Sequence, residues 1–133
     1  LDALLGEMQA ELSARFLRRV KDYSLPEELD KVNREFFVFV SEQGLAYEKI
    51  TCGGTYKAIR DEMTDQVNDV GWSKSKKYQK LTFYEKRMLM EFINNAVLAS
   101  YRLWVEDGKK MPLEDVINMT NRIVLGGVNG FFK

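Results

Sequence analysis

The spacing of apolar residues constrains this chain more than any other feature. In five stretches they recur at steps of three and four, which places them on one face of an α-helix. Leu1, Leu4, Leu5, Met8, Leu12, Phe16 and Val20 mark the first, over about 2–21. Arg15, Arg18, Arg19 and Lys21 crowd its end, where cations meet the negative pole of the helix dipole. Leu29, Val32, Phe36, Phe39 and Val40 mark the second, and Tyr56, Ile59, Met63, Val67 and Val70 the third. Two longer stretches follow, over 82–107 and 112–132. FFVFV at 36–40 taken alone favours a strand, because aromatic and β-branched residues suit sheets. The polar run DKVNRE before it and Gly44 after it favour a helix instead.

Punctuation residues sharpen these bounds. Ser24 with Glu27 has the spacing of a capping box, and Pro26 suits a first helical turn. Residues 45–51 allow one or two helical turns before Gly53-Gly54. Residues 71–81, GWSKSKKYQKL, have no period and predict an exposed connection. Thr82 and Glu85 predict a second capping box, and Gly108 stands where a left-handed residue closes a helix. Pro112, Glu114 and Asp115 open the last helix. The expectation is an all-α single domain, 1–133, of about five long helices plus a short one.

Charge and composition narrow the chemistry. Twenty basic and twenty acidic side chains leave no net charge, which disfavours a domain devoted to neutralising phosphates. Six basic residues and one acidic residue fall within 71–90, and this patch is read as a solubilising loop. There is no histidine and one cysteine, Cys52, so a disulfide within the chain, a Cys/His zinc site and a histidine-based triad are all excluded. No enzymatic activity, cofactor or metal is expected. No apolar run approaches the roughly 18–20 residues needed to span a bilayer. With no signal-like segment the chain is read as cytoplasmic. It starts at Leu1 already within a helical pattern, which predicts that a segment precedes it.

Three constellations each admit a plainer reading. Asp61, Glu62 and Asp65 could pair as carboxylates or hold a hard cation, but Lys57 and Arg60 beside them favour a solvated face. Gly126 to Gly130 includes three glycines, without the preceding strand or the Lys-Ser/Thr of a phosphate loop. Gly126 and Gly130, four apart, predict instead a smooth strip for close helix packing. The aromatic and methionine residues of the middle helices could wall an apolar cavity, but stripes at helical spacing favour a packed core on pattern alone.

Helix 82–107 carries more apolar surface than one core needs. Leu89, Phe92, Ile93, Ala96, Ser100, Leu103 and Trp104 form one stripe; Met90, Val97, Tyr101 and Val105 form another. A helix apolar on two sides needs two partners. The second stripe, through Val97, Tyr101 and Val105, is expected to meet a partner copy together with Met119, Ile123, Gly126 and Gly130 of the last helix.

EFINNAVLASYRLWVEDGKKMPLEDVINMTNRIV, residues 91–124, resembles the C-terminal region of TetR-like transcriptional regulators. Leu103, Trp104, Val105, Gly108, Pro112, Leu113 and Glu114 carry the match, and LDALL at 1–5 resembles the helix that follows the family's recognition helix. The resemblance implies a helical domain with an effector cavity among its middle helices and a two-fold homodimer, a four-helix bundle, through its last two. It implies that DNA is read by a preceding helix-turn-helix domain. Phe36, Phe39, Tyr56, Met63, Met88, Phe92 and Asn95 are the expected lining of a cavity for a mostly apolar small-molecule effector. The alternative is a helical dimerisation module with no small-molecule ligand.

Overall fold

The computed structural model describes residues 2–45, 48 and 57–133, and every regular element among them is an α-helix. In chain order these are α1 (Asp2–Val20), α2 (Leu29–Glu42), α3 (Lys57–Trp72), α4 (Lys76–Gln79), α5 (Phe83–Glu106) and α6 (Leu113–Phe131). The five long helices match the five periodic stretches. None of the described helices is long and apolar enough to cross a membrane.

Local chemistry accounts for most of the boundaries. Thr82 Oγ1 accepts from the Glu85 amide at 3.1 Å while the Glu85 carboxylate accepts from the Thr82 amide at 2.8 Å, the reciprocal box that starts α5. Gly108, with φ of 79°, lies just beyond the end of α5, and Gly44, with φ of 88°, just beyond that of α2. Both occupy the left-handed region that glycine enters without a Cβ penalty. Pro112 precedes α6, and Glu114 and Asp115 occupy its first turn.

The start of α2 differs from expectation. Ser24 and Glu27 form no capping box; the Ser24 amide donates instead to Glu28 Oε1 at 2.9 Å, and the helix opens at Leu29. A carboxylate four residues along reaches the free amide because residues 25–28 form turns rather than a first helical turn.

The short helix differs too. The expected turns at 45–51 fall largely outside the described residues, as do Cys52 and Gly53-Gly54. The described short helix, α4, lies within the segment expected to be irregular. Ser75 caps it by accepting from the Tyr78 amide at 3.2 Å. This segment is anchored rather than loose: Trp72 is only 2% exposed and lies between Tyr78 and Phe132, at ring separations of 5.4 and 6.2 Å.

The long helices close into a ring. Helix α1 packs against α2 and α3, α2 against α6, and α6 against α5. An amide pair, Asn68 Nδ2 to Asn94 Oδ1 at 3.0 Å, ties α3 to α5. Another, Asn33 Nδ2 to Asn121 Oδ1 at 3.0 Å, joins α2 to α6 in the interior. The buried apolar side chains form one cluster inside this ring, with Phe16, Phe37, Ile93, Tyr101, Ile117 and Val124 among them.

Candidate functional site: an interior cavity and an open helical face

A partly open cavity of about 110 Å³ lies within the ring. Helix α1 lines it with Leu12, Ser13, Phe16 and Val20, and α2 with Leu29, Val32, Asn33, Phe36, Phe39 and Val40. Asn68, Gly71 and Trp72 come from α3, and Ile93, Asn94, Val97 and Leu98 from α5. The stripes dictate this arrangement, because each helix turns its apolar face inward and four such faces converge here. None of the described lining residues is charged.

The polar groups at the wall have different bonding states. Asn33 is bonded to Asn121, and Asn68 to Asn94. Ser13 is 3% exposed, and its Oγ has no hydrogen-bond partner among the described residues. Beneath the Phe39 side of the wall, Arg15 and Arg19 place their guanidinium carbons 5.6 and 5.4 Å from the ring centroid. Arg19 is held there by Glu35 at 2.8 Å and Glu42 at 3.0 Å. Burial works against its charge, but the bonds to Glu42 and Glu35 outweigh it and raise its pKa further.

Of the residues expected to line a cavity, Phe36 and Phe39 do. Tyr56 and the side chain of Met63 lie outside the described residues. Met88, Phe92 and Asn95 do not line it: all three are on the outer side of α5. Asn95 instead donates to the Glu91 carbonyl at 2.8 Å and carboxylate at 3.1 Å. The inward stripe of α5 is Leu89, Ile93, Val97 and Tyr101, all buried and spaced by four. Residues 88, 92 and 95 sit on other sides of that cylinder, with 100° between successive positions.

The same rotation corrects the expected partner-facing stripe. Val97 and Tyr101 are part of the chain's own core, and Val105 packs half-buried against it. Tyr101 is fully enclosed, its ring 5.8 Å from that of Phe37 and its hydroxyl donating to Glu48 Oε2 at 3.2 Å. The outward apolar stripe of α5 is Met88, Phe92, Ala99 and Leu103. Beside it α6 exposes Met119, Ile123, Gly126 and Gly130, with Ile123 70% and Leu103 68% exposed. Nothing lies within 4 Å of where a Cβ would stand on Gly126 or Gly130. Gly127 is different: Phe92 crosses over it, so that the two stripes join in one face.

No protein-family model, curated protein or solved structure matches this chain.

Sequence reasoning missed Ser13, Asn33, Asn68 and Asn94. A signal existed for two of them. Ser13 adjoins Leu12 within the first apolar stripe, and Asn33 stands four residues from both Leu29 and Phe37. A polar residue at a core-facing step announces either a buried bond or a site. Among the described residues no cluster of three or more Asp, Glu, Cys or His side chains is placed to hold a metal ion.

Proposed function

We propose that this chain is the sensing and dimerising domain of a TetR-like transcriptional regulator, with DNA reading supplied by a helix-turn-helix domain preceding it. One observation carries the reading: the apolar surface is divided between an interior cavity with no charged side chain among its described lining residues and a separate outer face on α5 and α6. A cavity ringed by helices suits a small effector. An outer face of Met88, Phe92, Leu103, Met119 and Ile123 suits a second copy, since burying such side chains contributes about 1.5–3 kcal/mol each and soluble proteins rarely leave them wet in a patch. Because α5 contributes to both the cavity wall and the outer face, an effector that favours one setting of α5 would bias the relation between two subunits.

Light scattering of the purified chain at micromolar concentration tests this. The expected mass is that of a dimer; a monomer would sink the reading. The chain alone is expected to show no sequence-specific DNA affinity, given its zero net charge.

A dimerisation module without ligand is the second reading, and the cavity size favours it. About 110 Å³ is small beside the roughly 300–1,000 Å³ of drug-sized sites. Native mass spectrometry separates the two: a small molecule retained by the folded dimer and released on denaturation supports sensing.

A further inference from the structure

We infer that the interior cavity takes a small neutral ligand, no larger than one six-membered ring, whose single hydroxyl or carbonyl is anchored by Ser13. The inference rests on the effector-cavity reading above and names the chemistry of that ligand.

Ser13 departs from the behaviour of the other described helical hydroxyls. Ser41 donates to the Val38 carbonyl, Ser100 to the Ala96 carbonyl and Thr120 to the Val116 carbonyl, each at 2.8 Å. Such back-bonding is the ordinary way a helix satisfies a hydroxyl shielded from water. Ser13 sits in the middle of α1, yet among the described residues its buried Oγ bonds to no carbonyl of the preceding turn. A buried hydroxyl without a partner has lost its bonds to water and gained none in return. Among the described residues it is the single buried side-chain polar atom so placed, and it belongs to the cavity wall.

The remaining wall sets size and charge. An apolar cavity of about 150 Å³ holds one benzene ring. At about 110 Å³ this one is smaller, so a single ring or a short branched chain is the upper limit of what it admits. No charged side chain lines it among the described residues, so an ionised ligand would enter without a counter-charge, at prohibitive desolvation cost. Asn68 and Asn94 bond to each other and Asn33 to Asn121, and among the described residues Ser13 carries the one fully shielded polar atom of the wall without a partner.

The test uses the whole chain with phenol, toluene and benzoate as probes, followed by calorimetric titration or ligand-observed NMR. In a purely apolar cavity toluene outcompetes phenol, whose hydroxyl must leave water unrewarded. The expected result is the opposite order, with phenol bound about tenfold more tightly than toluene, the scale of one neutral hydrogen bond. Benzoate should not bind. Ser13→Ala should abolish or reverse the phenol preference without reducing toluene affinity or the helical circular dichroism. Equal or stronger binding of toluene by the parent chain overturns the anchor while leaving the cavity intact, as does a phenol preference that survives Ser13→Ala. Benzoate binding as tightly as phenol overturns the neutral class. Failure of all three probes to bind overturns the effector-cavity reading itself.

Discussion

Asn33 donates to Asn121 at 3.0 Å across 88 residues of chain, and Asn121 in turn donates to the Asp30 carbonyl at 3.2 Å. Two buried amides thus lock α2 to α6 beside the cavity, where apolar packing alone would permit the helices to slide. Asn121→Ala leaves the Asn33 amide without its acceptor. A loss of about 1–3 kcal/mol is expected in urea denaturation. A change below about 0.5 kcal/mol would mean that the pair contributes nothing net to the fold.

The outer glycines separate folding from association. Gly126 meets nothing within 4 Å, so Gly126→Ala should raise the stability of α6 by about 1 kcal/mol in the isolated subunit. Gly126→Leu should fold equally well and lower the dimer mass seen by light scattering to that of a monomer at micromolar concentration. A dimer that tolerates Leu at this position does not use the strip.

Trp72 is the test of the segment whose sequence looked least ordered. It stacks on Phe132 at an interplanar angle of 12° and contacts Tyr78, so its indole is expected to fluoresce at short wavelength. Trp72→Ala should cost about 3–5 kcal/mol, the range for emptying a buried aromatic site. Removal of residues 131–133 should shift the Trp72 emission to the red. Unshifted emission would contradict the stacking.

The acidic face of α3 gives a pH dependence. Partial desolvation, then repulsion from Asp69, Asp61 and Glu91, pushes the Asp65 carboxyl above the usual carboxylate range. A carboxyl whose folded pKa is raised destabilises the fold when ionised, and that cost is relieved as pH falls through the raised value. Asp65→Asn should therefore raise Tm at pH 7, and the gain should fade as the solution is acidified to about pH 3. Asp65 is exposed, so screening holds the effect to about 0.5 kcal/mol, or about 2 °C. A gain that grows on acidification would reverse the assignment.

The helices themselves were legible because their signals are local. A three-and-four apolar period, a Thr82–Glu85 box, Gly108 in the left-handed region and Pro112 before an acidic turn act over a few residues, and all of them hold in the folded chain. The Ser24–Glu27 box failed for a reason equally local: Glu28 could reach the same amide, and a pattern of spacing does not rank two acceptors one residue apart.

What spacing could not decide was rotation. Helix α5 is apolar on most of its circumference, and a net rotation of about 120° around the cylinder separates Val97, aligned with Ile93 and Tyr101 in the core, from Leu103 facing water. Either stripe satisfies the same periodicity. The choice came from elements far along the chain: Phe36 and Phe37 of α2 receiving the Tyr101 ring, and Asn68 of α3 receiving Asn94. The amino-acid sequence by itself determined that this protein is helical, where most helices begin and end, and which chemistries it lacks the residues to perform. Only the tertiary structure decided which apolar stripe became core, which became open surface, and that Ser13 would be buried without a partner. Helix formation is settled by neighbours within one turn, whereas burial depends on which distant faces meet.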